Sequence, residues 1–85
     1  MRKVLVVDDE FLVRVGIKSF LNWEENGYTI IGEAADGKQA LEIMERELPD
    51  VVLTDLKMDG MDGFELIQVS RKRFPAVQFV VLSSF

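Results

Sequence analysis

Cysteine and histidine are both absent from this sequence of 85 residues, and proline occurs twice. The histidine base and the cysteine nucleophile of ordinary nucleophilic catalysis are therefore missing. A lack of cysteine is also typical of proteins in a reducing compartment. No apolar run approaches the roughly 20 residues that a membrane-spanning helix needs. These absences predict a soluble, cytoplasmic domain.

Positive charge is scarce as well, with ten Lys and Arg against fifteen Asp and Glu and a formal charge of −5. This balance argues against direct binding of the chain to nucleic acid or to anionic lipid, since both need clustered Lys and Arg. A basic start precedes four apolar residues, but Asp8 ends that run too early for a signal peptide. The length suits one packed core, so residues 1–85 are predicted to form one domain.

Short apolar runs alternate with segments that have apolar residues at helical spacing. The runs predicted as strands cover residues 4–7, 28–31, 51–53 and 77–82. The helical stripes are Val13, Ile17, Phe20 and Leu21, then Ala40, Leu41, Met44 and Leu48, then Phe64, Ile67 and Phe74. This β-α-β-α-β-α-β order predicts an α/β fold with a parallel sheet that helices cover on both faces.

Polar residues follow three of the predicted strands. Asp8 and Asp9 follow the first strand, Asp55 follows the third, and Ser83 follows the fourth. Open parallel sheets bind ligands beyond the carboxyl ends of their strands, where the strand order reverses. If the first and third strands are neighbours there, the three carboxylates converge and raise one another's pKa unless a cation intervenes. Hard oxygen ligands of this kind suit Mg²⁺.

A structural alternative exists for each acid taken singly, because acidic residues favour the first turn of a following helix. Capping explains Asp8 and Asp9 less well once Asp55 lies at a second strand end. Ser83 alone is typical of a turn residue.

Two other motifs are excluded by their own residues. Residues 32–38 follow a strand and open a helix as a phosphate-binding P-loop would, but Gln39 replaces the required Ser or Thr. Asp55, Asp59 and Gly60 match three positions of a calcium-binding EF-hand loop, whereas Lys57 and Leu66 occupy positions that need ligands.

Taken together, the acids and the element order make the sequence similar to the receiver domain of bacterial two-component response regulators. The likeness covers essentially all 85 residues. Its strongest segments are residues 3–10 (KVLVVDDE), 32–41 (GEAADGKQAL) and 49–63 (PDVVLTDLKMDGMDG). It implies a flavodoxin-like parallel sheet in the order 2-1-3-4, without the family's final strand and last two helices.

The resemblance also implies a role for each matching residue. Asp55 corresponds to the phosphoacceptor, and Asp8 and Asp9 correspond to the acidic pair that positions Mg²⁺. Lys57 lies where a backbone carbonyl completes the metal site, and Ser83 where a hydroxyl contacts the phosphoryl group. The phosphoryl donor would be a phosphohistidine of a sensor histidine kinase. Such a domain takes part in its own phosphorylation and is not a turnover enzyme.

Residues 22–28 (NWEENGY) further resemble response regulators that carry an AraC-type DNA-binding domain. This resemblance implies that the chain is part of a transcriptional regulator.

Two features depart from the family pattern. Asp59 replaces a usual proline, which would loosen the loop after Asp55. The sequence also stops at Phe85, before the strand whose lysine would contact the phosphoryl group, so it looks C-terminally truncated and its competence for phosphorylation is open.

Two rival functions are to be compared with this reading, and the truncation favours the first of them. A truncated interaction module could keep the fold without accepting phosphate. A metal-dependent phosphatase with an aspartate nucleophile would need a second acid two residues beyond Asp55, where Lys57 stands.

The fourth predicted strand bears on assembly. Val77 to Leu82 contains no charge and no proline, so it lacks the usual features that keep an edge strand from pairing with another chain. The sequence therefore predicts a homo-oligomer that forms through this strand.

Overall fold

The fold alternates strands and helices as the sequence predicts. The computed structural model describes residues 1–82. Its strands are β1 (Arg2–Val7), β2 (Tyr28–Ala34), β3 (Val51–Asp55) and β4 (Gln78–Leu82). Its α-helices are α1 (Phe11–Phe20), α2 (Gly37–Arg46) and α3 (Gly63–Arg73), and a short 3-10 turn covers Glu24–Asn26. No helix within residues 1–82 is long and apolar enough to cross a membrane.

The four strands form one parallel sheet in the order β2-β1-β3-β4, which confirms the predicted order. Strand β2 is longer than predicted because its last three residues pair with the end of β1. The register between β1 and β2 shifts by one residue, so that Val4 faces Ile30 but Leu5 faces Gly32. Since β1 and β3 are neighbours, their carboxyl ends meet at one edge of the sheet.

Each face of the sheet has its own apolar cluster, because successive side chains of a strand point to opposite faces. On one face, Leu5, Val7 and Val52 pack with buried side chains of α2 and α3, such as Met44 and Leu66. On the other face, Val4, Val6 and Val51 pack with partly buried residues that include Ile17 of α1. In the described chain, two helices thus cover the first face and α1 covers the second.

The apolar stripes identify the three helices, but not all of their residues are buried. Ile17 packs on the sheet, but Phe20 is 83% exposed and α1 has no buried residue. In α3 the buried side chains include Leu66 and Ser70, whereas Phe64 is 56% exposed. A spacing of three or four residues identifies a helix, but the neighbouring elements decide which of its faces is buried.

Candidate functional site

Asp8 continues directly from β1 and is held by backbone contacts on both sides. Its N–H donates to the carbonyl of Ala34 in β2 at 3.0 Å, and its carboxylate accepts from the N–H of Glu10 at 2.9 Å. Asp8 is 4% exposed, while Asp9 beside it is exposed. The N-cap residue of α1 is Glu10, whose side chain makes no capping hydrogen bond within the described chain. Asp8 thus orders the loop that precedes α1.

Asp55 is the last residue of β3 and is 8% exposed. Its carboxylate accepts a hydrogen bond from the N–H of Lys57 at 3.3 Å. The first residue of α3, Gly63, lies against its backbone: a Cβ at Gly63 would stand 2.2 Å from the carbonyl oxygen of Asp55. The start of α3 therefore supports the strand end that carries Asp55.

Asp8, Asp9 and Asp55 come together as the sequence predicts. One carboxylate oxygen of each lies within 4.8 Å of the chosen oxygens of the other two. Burial raises the pKa of the Asp8 carboxyl above its ordinary value, and the nearby charges of Asp55, Asp9 and Glu10 raise it further. The hydrogen bond from the Glu10 N–H opposes this rise in the pKa. A divalent cation among the three oxygens would offset both the burial and the repulsion, and hard carboxylate oxygens are the donors that Mg²⁺ prefers.

The loop after Asp55, residues 56–62, is hydrogen-bonded to the first residues of α2 and α3. The N–H of Gly37, at the start of α2, donates to the carbonyl of Met61 at 2.7 Å. The N–H of Gly63 donates to the carbonyl of Leu56 at 3.0 Å. Gly60 has a φ of 75°, which a residue with a side chain rarely adopts. Asp59 is exposed in this attached loop.

The start of α2 lies where the sequence has its P-loop-like segment. The carboxylate of Asp36 accepts from the N–H of Gln39 at 2.9 Å. The N–H of Gly37 donates to the carbonyl of Met61. Two of the N–H groups that could cradle a phosphate therefore already have acceptors, and the carboxylate of Asp36 would repel an anion there. The structure agrees with the exclusion of this motif.

Arg14 of α1 contacts the site, although no motif in the sequence distinguishes it. Its guanidinium donates to the backbone carbonyl of Asp8 at 2.6 Å and to the carboxylate of Glu33 at 2.7 Å. Glu33 lies on β2, nineteen residues away. A helical arginine and a strand glutamate carry no local signal for this pairing, since it depends on how β2 is aligned with β1.

The roles predicted for Asp8, Asp9, Asp55, Lys57 and Ser83 all remain predictions, although the first three side chains do converge. Lys57 follows Asp55 closely and is exposed, but the role predicted for its backbone carbonyl needs a bound metal. Ser83 lies outside the described residues.

A family model described as response regulator receiver domain matches residues 4–85. The chain belongs to this family. This chain is 44% identical over all 85 residues to the uncharacterized transcriptional regulatory protein YesN of Bacillus subtilis, of which it covers 23%. It is 43% identical over 98% of its length to the response regulator protein VraR of Staphylococcus epidermidis, of which it covers 39%. The chain thus spans well under half the length of these curated relatives.

Solved structures give the same assignment. A two component transcriptional regulator AraC from Clostridium phytofermentans superposes with a TM-score of 0.92 at 35% identity, over 100% of this chain and 66% of that one. The REC domain of AraT, a response regulator from Geobacillus stearothermophilus, superposes with a TM-score of 0.89 at 39% identity, over 94% and 62% of the respective chains. The fold of the receiver domain is therefore flavodoxin-like, with the parallel sheet described above.

Proposed function

We propose that this receiver domain accepts a phosphoryl group on Asp55 from a phosphohistidine of a sensor histidine kinase. The observation that carries the proposal is the convergence of Asp8, Asp9 and Asp55, whose oxygens lie within 4.8 Å of one another at the end of β1 and β3. An interaction module that never takes phosphate does not require three converging carboxylates, whereas a phosphoacceptor with a metal ion does. No observation in residues 1–82 favours that alternative.

In the proposed reaction, a carboxylate oxygen of Asp55 attacks the phosphorus atom in line with the phosphorus–nitrogen bond of the donor. That bond breaks, and the imidazole of the donor leaves with the electron pair. Transfer of this kind depends on positioning and on screening of negative charge more than on a strong nucleophile. The position of Asp55 at the end of β3 and the approach of Gly63 to its backbone would place the Asp55 carboxylate for this attack. The domain changes its own state in the reaction and does not turn over a substrate.

Asp8, Asp9 and Asp55 would hold Mg²⁺, with the backbone carbonyl of Lys57 as a further ligand. The ion would supply positive charge to the equatorial phosphoryl oxygens. The hydroxyl of Ser83 would contact the phosphoryl group once it is in place. Binding of the metal alone should be weak, because Mg²⁺ keeps several of its waters in sites with few protein ligands.

We further propose that the domain belongs to a cytoplasmic transcriptional regulator. The relatives YesN and VraR are named as a transcriptional regulatory protein and a response regulator, and similar solved structures include regulators named AraC and LuxR family. The segment that resembles the AraC-type subfamily is ordered: Trp23 packs edge-on against Tyr28, with ring centroids 6.2 Å apart, and its indole N–H donates to the carbonyl of Ile17. The resemblance of this segment supports an AraC-type DNA-binding domain in the same regulator.

Titration with Mg²⁺ should move the amide NMR resonances of Asp9 and Asp55 and of their neighbours, with saturation near millimolar metal. The same titration of an Asp9→Asn variant should give much weaker shifts, because one carboxylate ligand is lost. An Asp50→Asn variant is the matched control, since Asp50 is an exposed acid at the opposite end of β3. A folded sample whose site resonances stay fixed in millimolar Mg²⁺ would contradict the metal site.

We also propose a homo-oligomer that forms through β4. In the described residues β4 is an outer strand of the sheet, and Val80 and Val81 are 48% and 44% exposed. An apolar outer strand without charge offers free backbone groups for pairing with a second copy.

Val80→Lys should weaken this assembly by at least about tenfold in dissociation constant, equivalent to ~1.4 kcal/mol, because lysine on an edge strand opposes pairing. Sedimentation equilibrium measures the change. Leu12→Lys is the control, since Leu12 is 78% exposed on α1 and away from β4. A wild-type chain that stays monomeric at high micromolar concentration would rule out the homo-oligomer.

A further inference from the structure

The Arg14 side chain joins the acidic site to the neighbouring strand. Its Nη1 donates to the carbonyl oxygen of Asp8 at 2.6 Å, and its Nε donates to Oε1 of Glu33 at 2.7 Å. The side chain is 14% exposed, so water competes little for these contacts. The second carboxylate oxygen of Glu33 accepts from Lys18. These hydrogen bonds from Lys18 and Arg14 lower the pKa of Glu33, which keeps it charged.

The shift in register between β1 and β2 explains how Glu33 reaches Arg14. After the shift, Glu33 is opposite Val6, whose side chain lies on the α1 face of the sheet. Without the shift, Glu33 would be opposite Val7, whose side chain packs on the face that α2 and α3 cover. A change of one residue in register turns a side chain to the other face. The irregularity in β2 thus places a carboxylate beneath α1.

The contact with the Asp8 carbonyl constrains Asp9 through the peptide bond. Because the peptide group is planar, the direction of the Asp8 carbonyl also sets the plane of the Asp9 N–H and the position of its Cα. The N–H of Asp8 is held by Ala34 in β2. Arg14 therefore holds the carbonyl group of Asp8, and this group is joined through the peptide bond to the exposed Asp9.

We infer that Arg14 is a positioning residue, which holds the Asp8–Asp9 peptide so that both carboxylates point at the metal site. The inference rests on the proposed function, since the positioned group is the metal-binding acidic pair. Residues that orient metal ligands typically contribute a factor of about 10 to 100 in metal affinity. Arg14 would do so through a backbone carbonyl, without touching the metal.

Arg14→Gln tests this role, because loss of positioning and loss of charge should change the affinity for Mg²⁺ in opposite directions. Removal of a cation near the site should by Coulomb's law strengthen the binding of Mg²⁺. Loss of positioning should weaken it, and we expect an affinity about tenfold lower by NMR titration. Lys18→Gln is the matched control, because it removes the same charge and also loses a contact to Glu33 but does not touch Asp8. It should bind Mg²⁺ at least as tightly as the wild type.

The metal-free protein gives a second measurement. In Arg14→Gln the amide resonance of Asp9 should shift and its heteronuclear relaxation should report greater mobility, while in Lys18→Gln both should stay as in the wild type. Should Arg14→Gln fail to fold, Arg14→Lys takes its place, because lysine keeps the charge but cannot span two acceptors with a planar fork. We expect it to show weaker Mg²⁺ binding and a shifted Asp9 resonance.

The possible failures are distinguishable. Equal or tighter Mg²⁺ binding by a folded Arg14 variant, with an unchanged Asp9 resonance, overturns the inference and leaves the proposed function intact. Absence of any Mg²⁺ effect in the wild type overturns the proposed metal site instead. In that case the Asp9 resonance of the metal-free variants still decides whether Arg14 positions the pair.

Discussion

Asp55→Asn should abolish phosphorylation of the protein by a small acyl phosphate donor with Mg²⁺, reducing incorporation to the level of a donor-free sample. An amide has no anionic oxygen with which to attack phosphorus, and the substitution also removes one of the three carboxylates that converge at the site. The reaction is measured on the protein at its natural length by intact-mass spectrometry. The wild type should gain one phosphoryl group.

Asp59→Asn is the matched control for this experiment. Asp59 is an exposed aspartate in the loop that follows Asp55, and the substitution changes the net charge by the same amount. It should leave incorporation close to that of the wild type. One phosphoryl group on the Asp55→Asn protein would show that another residue is the acceptor.

Gly63→Ala should destabilise the domain by about 2 kcal/mol or more. A Cβ at this position would lie 2.2 Å from the carbonyl oxygen of Asp55 and 2.9 Å from Cα of Leu56. Both are backbone atoms, which cannot move aside as a flexible side chain does, so the cost belongs at the upper end of about 1–3 kcal/mol for overpacking. The better helix propensity of alanine, worth up to about 1 kcal/mol, offsets part of it. Urea denaturation measures the free energy of unfolding.

Gly16→Ala is the control for the glycine substitution. Gly16 is an exposed residue within α1, and a Cβ there would meet nothing within 4 Å. This change should stabilise the domain by about 0.5–1 kcal/mol, because glycine loses more backbone entropy than alanine on folding. Opposite signs for two identical substitutions would establish the close approach of α3 to Asp55. Equal stability of Gly63→Ala and wild type would contradict that approach.

A folded Gly63→Ala protein should also bind Mg²⁺ less tightly. The added Cβ must displace the backbone of Asp55, and with it the carboxylate that is a proposed metal ligand. Gly37 makes a related approach, since its Cβ would stand 2.6 Å from the side chain of Met61. There the neighbour includes flexible side-chain atoms, so we expect Gly37→Ala to cost less than Gly63→Ala. The two free energies of unfolding would show whether Gly37 or Gly63 matters more for holding the loop that follows Asp55.

Much of the fold and of the site follows from local patterns in the sequence. Apolar runs and helical spacing predict the seven elements, and polar residues at the ends of β1 and β3 predict the convergence of Asp8, Asp9 and Asp55. These predictions succeed because strand ends in a parallel sheet meet at one edge whatever the details of packing. The order of the strands followed from the likeness to receiver domains, and the sheet confirms it.

Other features were decided by the tertiary structure. The burial of Leu66 and the exposure of Phe64 depend on which face of α3 meets the sheet. Gly63 is needed because α3 starts against the backbone of Asp55, a contact that no spacing reveals. The link from Arg14 to Glu33 depends on a one-residue shift between β1 and β2. The sequence by itself determined the acids and the order of elements that present them, because both are local; the surroundings that hold those acids depend on register and packing between distant segments, which arise only when the whole chain folds.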